Sequence, residues 1–567
     1  MNLAQFLAHF DRISDAPDAV PRLRRFILEL AVRGKLVEQD PRDEPALELL
    51  GRIETEKLKL IKEGKLKRQE PLSPVNEDEL PFPVPHGWQP ARLAVIAACL
   101  DYMREPINST ERNQRIAGKN PSELFPYFGA TQQQGWIDSY IFDEELVLLG
   151  EDGVPFFDEL RSKAYLISGK TWVNNHAHVF RGILVSHAFL AHYLNTFDYK
   201  GRVAGATRSK LNQAKAVDIP IILPPLDEQQ RIVAKVDELM VLCDRLKAAQ
   251  VERESRRDRL TTASLYRLNN GAAADAFRDH GRFYFSHLPR LTTRQVHIQQ
   301  LRQTILNLAV RGKLVHQDHN DEPAFELLER VAVQKTKAGN AKTGRDWIGD
   351  IAKPVDEAFV IPKGWVWTRI ANTVERVTVG YVGPMKDQYV QDGIPFLRSQ
   401  NVRANRFRED GLISISPKFH QAISKSALAP GDVVVVRSGN VGTACVIPPS
   451  LLKANCSDLV VVKHPIAVHP AYLCFYLNSL ASTHIEAGTV GVALTHFNTK
   501  SVATMPLPLP PLPEQHRIVA RVDELMALCD RLEAQLNTTQ TESRRLLEAV
   551  LHDALAWQSE LEQGVLR

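Results

Sequence analysis

The chain has 567 residues, of which 44% are hydrophobic and 24% charged, with a formal net charge of +3. That length exceeds what one hydrophobic core usually serves, so about three to five structural units are expected. The charge is too mild to mark a polyanion binder by itself, so any nucleic-acid footprint has to be local.

The first predicted element is a helix with Pro21 in its first turn and Gly34 as its C-terminal stop. It leads into LAVRGKLV (Leu30–Val37) and DEPALELL (Asp43–Leu50), together called block A. A basic stretch follows, with Lys57, Lys59, Lys62, Lys65, Lys67 and Arg68. Such groups suit sequence-independent phosphate contact or a solvated helix face, and the sequence leaves both open.

Pro85-His86-Gly87-Trp88 then opens an insert that runs from Trp88 to about Ala216. It reads as mixed α/β with short strands and many turns, including a buried strand at Glu145–Leu149 that stops at Gly150-Glu151-Asp152-Gly153. Its candidate DNA-reading groups are Gln132, Gln133, Gln134 and Trp136, then Lys170, Trp172, Asn174 and Asn175, then Arg208, Lys210 and Asn212. Arg, Asn and Gln can make bidentate contacts to base edges, whereas Lys and Ser more often hold phosphates.

Leu-Pro-Pro (Leu223–Pro225) precedes a helix, block B, that starts with LDEQQRIVAKVDELMVLCDRL (Leu226–Leu246). Its apolar seam is Ile232, Val236, Leu239, Cys243 and Leu246, a heptad rhythm. Continued to about Leu268, this helix would span roughly 60 Å.

The pattern then repeats. LAVRGKLV recurs without change at Leu308–Val315, closed by Gly312, and DEPAFELL occupies Asp321–Leu328, at an offset of 278 residues. A second basic stretch carries Lys335, Lys337, Lys342 and Arg345, and Pro362-Lys363-Gly364-Trp365 opens a second insert ending near Val502. This insert has a buried strand at Asp432–Val436. Its candidate readers are Arg398, Ser399, Gln400 and Asn401, then Arg437 and Asn440, then Thr495, His496, Asn498 and Lys500. Block B returns as LPEQHRIVARVDELMALCDRL (Leu512–Leu532) at an offset of 286, differing from the first copy at four of 21 positions. Its seam is Ile518, Val522, Leu525, Cys529 and Leu532, extended by Leu536.

Two near-identical frames thus hold two inserts that differ except at their edges and tails. The fold class expected is α+β: two mixed α/β recognition domains separated by long helices that form an antiparallel coiled coil, in a pseudo-two-fold tandem duplication. The boundaries are 1–80 (helical), 81–225 (first recognition domain), 226–350 (central helices), 351–511 (second recognition domain) and 512–567 (last helix). The seam itself suits plain packing or packing plus a docked partner.

Catalytic motifs are missing. The nearest approach to a phosphate-binding loop, Gly339–Asp346, has Arg345 and Asp346 where Lys and Ser/Thr are needed. No Asn/Asp-Pro-Pro-aromatic methyltransferase motif and no H-E-x-x-H occurs. Pro17-Asp18 with Glu63-Gly64-Lys65 only formally echoes a nuclease pattern, since it sits in helical sequence. His176 and His178, near His187 and His192, are read as ordinary histidines, and no metal site is assigned. Cys99, Cys243, Cys445, Cys456, Cys474 and Cys529 form no C-x-x-C pair, which opposes a structural zinc and suits a reducing cytosol. With neither a signal peptide nor a membrane span in the pattern, a soluble cytoplasmic protein is expected.

The repeated AVRGKLV and DEPA…ELL, IKEGKLKRQ, the P-x-G-W openings and LPPLxEQxRIVxxVDELMxLCDRL together resemble type I restriction–modification specificity subunits over nearly the full length. In the first insert, FGATQQQGWID, LLGEDGVPF and GKTWVNNHAHV also look like a known type of target-recognition domain. The resemblance implies a non-catalytic subunit whose two domains read the halves of an interrupted, asymmetric DNA target. It implies two modification subunits that bind S-adenosylmethionine and methylate adenine, and restriction subunits that use ATP and magnesium. The chain itself is expected to hold no cofactor, with duplex DNA and those subunits as partners and no membrane. Rival readings are a modification-only or related defence system, a self-sufficient nuclease or methyltransferase, and a coiled-coil adaptor.

Overall fold

The structure is a computed structural model that describes residues 16–205, 209–270, 274–337, 359–385, 387–486 and 498–562. The chain divides into two compact units, Met1–Arg253 with Thr539–Arg567, and Glu254–Thr538. Among the described residues, no helix is long and apolar enough to cross a membrane.

In the first unit the block A helix, Ala19–Val32, ends at Arg33, and Gly34 follows with φ of +68°. Glycine is needed there twice over. The backbone is left-handed, and an added Cβ would lie 3.0 Å from Pro85 Cγ and 3.2 Å from the Trp88 ring. Gly312 repeats both conditions, at φ of +66° against Pro362 and Trp365. The shared glycine and tryptophan therefore seat the start of each insert on block A.

Each insert is zipped at its base. Gln89–Arg92 pairs antiparallel with Pro220–Leu223, and Val366–Arg369 pairs with Pro506–Leu509. Beyond the zip, each insert carries two four-stranded sheets. In the first unit one sheet runs Ala97–Cys99, Ala177–Gly182, Leu146–Gly150, Ala164–Ile167. Its counterpart runs Val374–Val379, Leu459–Pro465, Val433–Val436, Ala444–Val446 in the same order. The two buried strands expected from sequence occupy equivalent places there. The other sheet runs Gln133–Ile137, Phe125–Phe128, Lys170–Val173, Phe142–Asp143. In the second unit it runs Tyr389–Val390, Ile413–Ile415, Ile394–Leu397, Asn455–Cys456. Both contain an antiparallel pair followed by a parallel one, but the fourth strand joins a different edge.

The block B helices are long: Leu226–Asn270 (45 residues) and Leu512–Glu562 (51 residues). Each crosses the division between the units, so each has a proximal half and a distal half. Their first turn latches the insert. Trp88 Nε1 donates to Glu228 (3.0 Å), and Trp365 Nε1 donates to Glu514 (3.0 Å). Gln229 accepts from Ser186 N and donates to Pro224 O; Gln515 accepts from His469 N and donates to Pro510 O. Arg231 grips Asp43, and Arg517 grips Asp321.

The seam does something more local than sequence suggests. In the first unit Ile232, Val236 and Cys243 are buried in one cluster with Val20, Ile27 and Ala31 of the block A helix, with Leu239 and Leu246 half-buried at its margin. In the second, Ile518, Val522 and Cys529 are buried with Ile298, Leu301 and Ile305, with Leu525, Leu532 and Leu536 alongside. The seam of each proximal half is therefore filled by the block A helix of its own unit.

The antiparallel arrangement of the long helices appears inside each unit. In the second, Arg302 pairs with Asp530 (2.7 Å) and Gln295 meets Asn537, so the proximal half runs opposite to the block A helix. His297 meets Asp258 and Asn269 meets Thr304, so the distal half of the other long helix runs parallel to it. The first unit repeats this with Arg24–Asp244 on one side and Arg22–Glu548 and Lys35–Leu555 on the other.

Candidate nucleic-acid interface

In the first insert, the helix Ser109–Ile116, capped by Asn108, lies against strand Gln133–Ile137. Its Arg112 sits over the Tyr127 ring (4.7 Å) and Arg115 over Trp172 (5.0 Å). Arg115 and Lys119 both bind Asp138, whose carboxyl is held below its usual range chiefly by Lys119, then by Arg115. Beside them Gln132, Gln133 and Gln134 are exposed, and Trp136 is 48% exposed. Lys170 stands over the half-open Tyr140 ring (4.8 Å). An exposed indole among cations and amides is an unusual surface for plain solvation, and it offers charge for phosphates with amides for base edges.

Three sequence candidates of this insert have other work. Trp172 is buried and donates to Glu105 O, because its ring fills the small core with Tyr127 and Ile137. Asn174 is buried and accepts from His176 N, which fixes the turn. Asn212 caps the helix Gln213–Val217 by accepting from Lys215 N. Asn175 remains exposed, and Arg208 lies outside the described residues.

Lys210 pairs with Glu151 (3.1 Å) in a clamp that also includes Arg104, Asp101 and the buried His178. His178 Nδ1 is 2.6 Å from Asp101 and Nε2 is 2.9 Å from Leu211 O, so both ring nitrogens are engaged by protein. Asp101, Glu151 and His178 are grouped closely enough to hold a cation. Arg104 and Lys210 already supply the countercharge.

In the second insert, Arg398 and Gln400 both donate to Gly411 O, with Ser399 exposed between them. Asn401 is fully buried: it accepts from Arg398 N and donates to Arg408 O and Asp410 O. It shapes the turn and cannot reach a ligand. The hairpin it supports, Val402–Arg403 with Arg406–Phe407, projects Arg403, Arg406 and Arg408, all exposed. Sequence inspection missed these three and Arg112 and Arg115, because two-residue strands and a short polar helix give almost no periodic signal. Arg437 is half-buried on Asp458 (2.6 Å), and Asn440 is exposed in the adjoining turn. Asn498 caps Thr499–Thr504 and Lys500 is exposed; Thr495 and His496 lie outside the described residues.

The basic stretches after block A are partly structural. Lys57 donates to Ala94 O and Lys335 to Ala371 O (2.8 Å), each holding a short helix of the insert. Burial lowers both ammonium groups, Lys335 to about 8. Lys59 and Lys65 pair with Glu56 and Glu63, and Lys67 stacks on Tyr102. Lys62 and Arg68 are exposed, the side chain of Lys337 is not described, and Lys342 and Arg345 lie outside the described residues.

Residues 106–253 and 380–539 match the type I restriction modification DNA specificity domain family. The chain is 31% identical to the type I restriction enzyme EcoEI specificity subunit of Escherichia coli over 94% of both chains. It is 28% identical to the EcoAI specificity subunit of Escherichia coli, again over 94% of both. A solved chain from work on assembly of a type I R-M system is similar over 84% of this chain and 99% of that one, at 19% identity and a TM-score of 0.47.

Proposed function

Because the chain belongs to the type I restriction–modification DNA specificity family, we propose that its two inserts read two separate half-sites of one interrupted target on duplex DNA. DNA-sequence recognition within a restriction–modification system is the function that membership carries. One observation supports the bipartite reading above all. The same two-sheet insert is built twice on near-identical frames, and the exposed groups differ: Gln132–Gln134, Trp136 and Lys170 in one, Arg403, Arg406 and Asn440 in the other.

The chain carries no catalytic step of its own in this reading. Two modification subunits bring S-adenosylmethionine and methylate adenine, and restriction subunits bring ATP and magnesium for cleavage. The repeated helices offer those subunits two equivalent surfaces, and the assembly works in the cytoplasm where the DNA is. Phosphate contacts set affinity and register, and base-edge contacts set sequence.

Replacing Trp88–Ala216 with the first insert of another family member tests this directly. Methylome sequencing of the host should show one half of the methylated motif changed and the other kept. A change in both halves, or in neither, overturns independent reading. Methyl transfer to DNA by the purified chain alone would overturn the non-catalytic assignment.

A further inference from the structure

The duplication creates a pairing problem. The proximal halves of the long helices are interchangeable, since Arg24 meets Asp244 just as Arg302 meets Asp530 on nearly identical sequence. Nothing there tells a distal half which block A helix to join.

The distal halves differ. In the second unit Asp258 pairs with Arg294 and with the buried ring of His297 (2.8 Å). One turn on, the helix buries two small polar residues, Thr261 and Ser264, and Thr261 donates to Leu291 O. At the matching positions of the other long helix, 286 residues later, stand Arg544, Leu547 and Val550. The block A counterparts of Arg294 and His297, 278 residues earlier, are Ala16 and Ala19. In the first unit, accordingly, Arg544 pairs with Asp18 (3.4 Å) and Arg22 with Glu548 (2.7 Å). Leu547 and Val550 are buried against Ala16 and Ala19.

We infer that these two seats are mutually exclusive keys, of opposite charge and opposite bulk, so that each distal half fits one block A helix and is rejected by the other. In the exchanged pairing Arg544 would face Arg294 and Leu547 would be driven against the His297 ring. Asp258 would face Asp18, and Thr261 opposite Ala19 would leave a hole. Ion pairs as exposed as these discriminate weakly. The mismatch in buried bulk is the stronger half of the key, because well-packed sites tolerate neither voids nor extra volume. The wrong partner that the keys exclude is the other frame of a second copy, since one continuous helix cannot lay both of its halves on a single block A helix.

The test transplants one key in the full-length chain. Arg544→Asp with Leu547→Thr and Val550→Ser gives the second long helix the key of the first. The first seat is then mismatched, and the melting temperature should fall. Adding Ala16→Arg, Asp18→Val and Ala19→His rewrites that seat to match, and most of the lost melting temperature should return although six residues now differ. Generic packing predicts the reverse, with each added change costing more. The inference is overturned if the transplanted chain melts like the parent, or if the six-residue variant melts no higher than the transplant. The second comparison decides the matter even where the transplant alone does not fold.

Discussion

Trp88 Nε1 lies 3.0 Å from the buried carboxylate of Glu228, and Trp365 stands in the same relation to Glu514 at 3.0 Å. Both carboxyls are pushed above their usual range, chiefly by burial. A raised folded-state value means that the folded chain holds the proton more tightly than the unfolded chain. Stability from this source is full below the ordinary carboxyl range and is given up as pH rises through the raised value. Glu514→Gln keeps an acceptor for the indole and removes the buried charge. Its melting temperature should be at or above the parent's at pH 7.5, and that advantage should shrink by pH 4.5. Trp365→Phe should instead cost about 1–3 kcal/mol at pH 7.5, because it takes the indole donor from one oxygen of a buried carboxylate and leaves only the Gln317 amide on the other. Thermal melts at the two pH values check both; an advantage of Glu514→Gln that grows on acidification sinks the account.

The duplicated frames were legible because identity at two fixed offsets requires no knowledge of packing. The buried strands at Glu145–Leu149 and Asp432–Val436 were legible too, from uninterrupted apolar runs. The Glu-Gln pair that opens each block B was not. Polar residues in a helix's first turn usually cap or face water, and only the fold shows Gln229 and Gln515 buried as latches. Base-reading candidates were the least legible. Asn401 and Asn174 have the side chains of readers, but a buried turn needs the same amide to satisfy its backbone.

That division predicts opposite phenotypes for a hairpin residue and for the buried turn residue that supports it. Arg406→Ala should leave stability within about 0.5 kcal/mol, as exposed surface changes usually do. It should weaken DNA binding, by ~1–3 kcal/mol of discrimination if the side chain makes a bidentate base contact. Asn401→Ala should cost about 1–3 kcal/mol of stability by removing a buried amide that ties Arg398 N to the carbonyls of Arg408 and Asp410. Urea denaturation beside titration of cognate and scrambled duplexes separates the two. Equal cognate affinity for Arg406→Ala and the parent would remove this hairpin from the interface.

Lys62 and Lys335 should separate in the same way. Lys62 is exposed, so Lys62→Ala should weaken binding slightly and alike on all sequences, lowering the salt slope by at most about one. Lys335 holds the carbonyls of Ala371 and Asn372. Its depressed value, about 8, means that the folded state loses the proton first, so its contribution to stability rises as pH climbs from about 8 toward the ordinary lysine range. Lys57 and Lys163 are lowered by burial too, so melts from pH 7 to 10 should show a smaller rise in Lys335→Met than in the parent. A rise of the same size in Lys335→Met would detach the effect from this residue.

The long helices should act as a ruler for the gap between half-sites, and the fold dictates how to test that. Each helix leaves the unit of its proximal half and ends in the other, so lengthening one alone sets it against its neighbour. Four residues inserted after Leu246 add nearly one turn, about 6 Å of helix. The same insertion after Leu532, the equivalent position in the other copy, should be made in the same chain. The paired variant should widen the gap by about one or two base pairs, at ~3.4 Å each, with both half-site sequences kept because neither insert is touched. Either insertion alone should lower the melting temperature, since one register then has to slip. A paired two-residue insertion should do worse than the paired four-residue one, because it rotates each distal half by roughly half a turn and turns Thr261 and Leu547 out of their seats. Methylome sequencing of each variant reads the gap. An active paired four-residue variant with an unchanged gap would mean that something other than these helices sets the spacing.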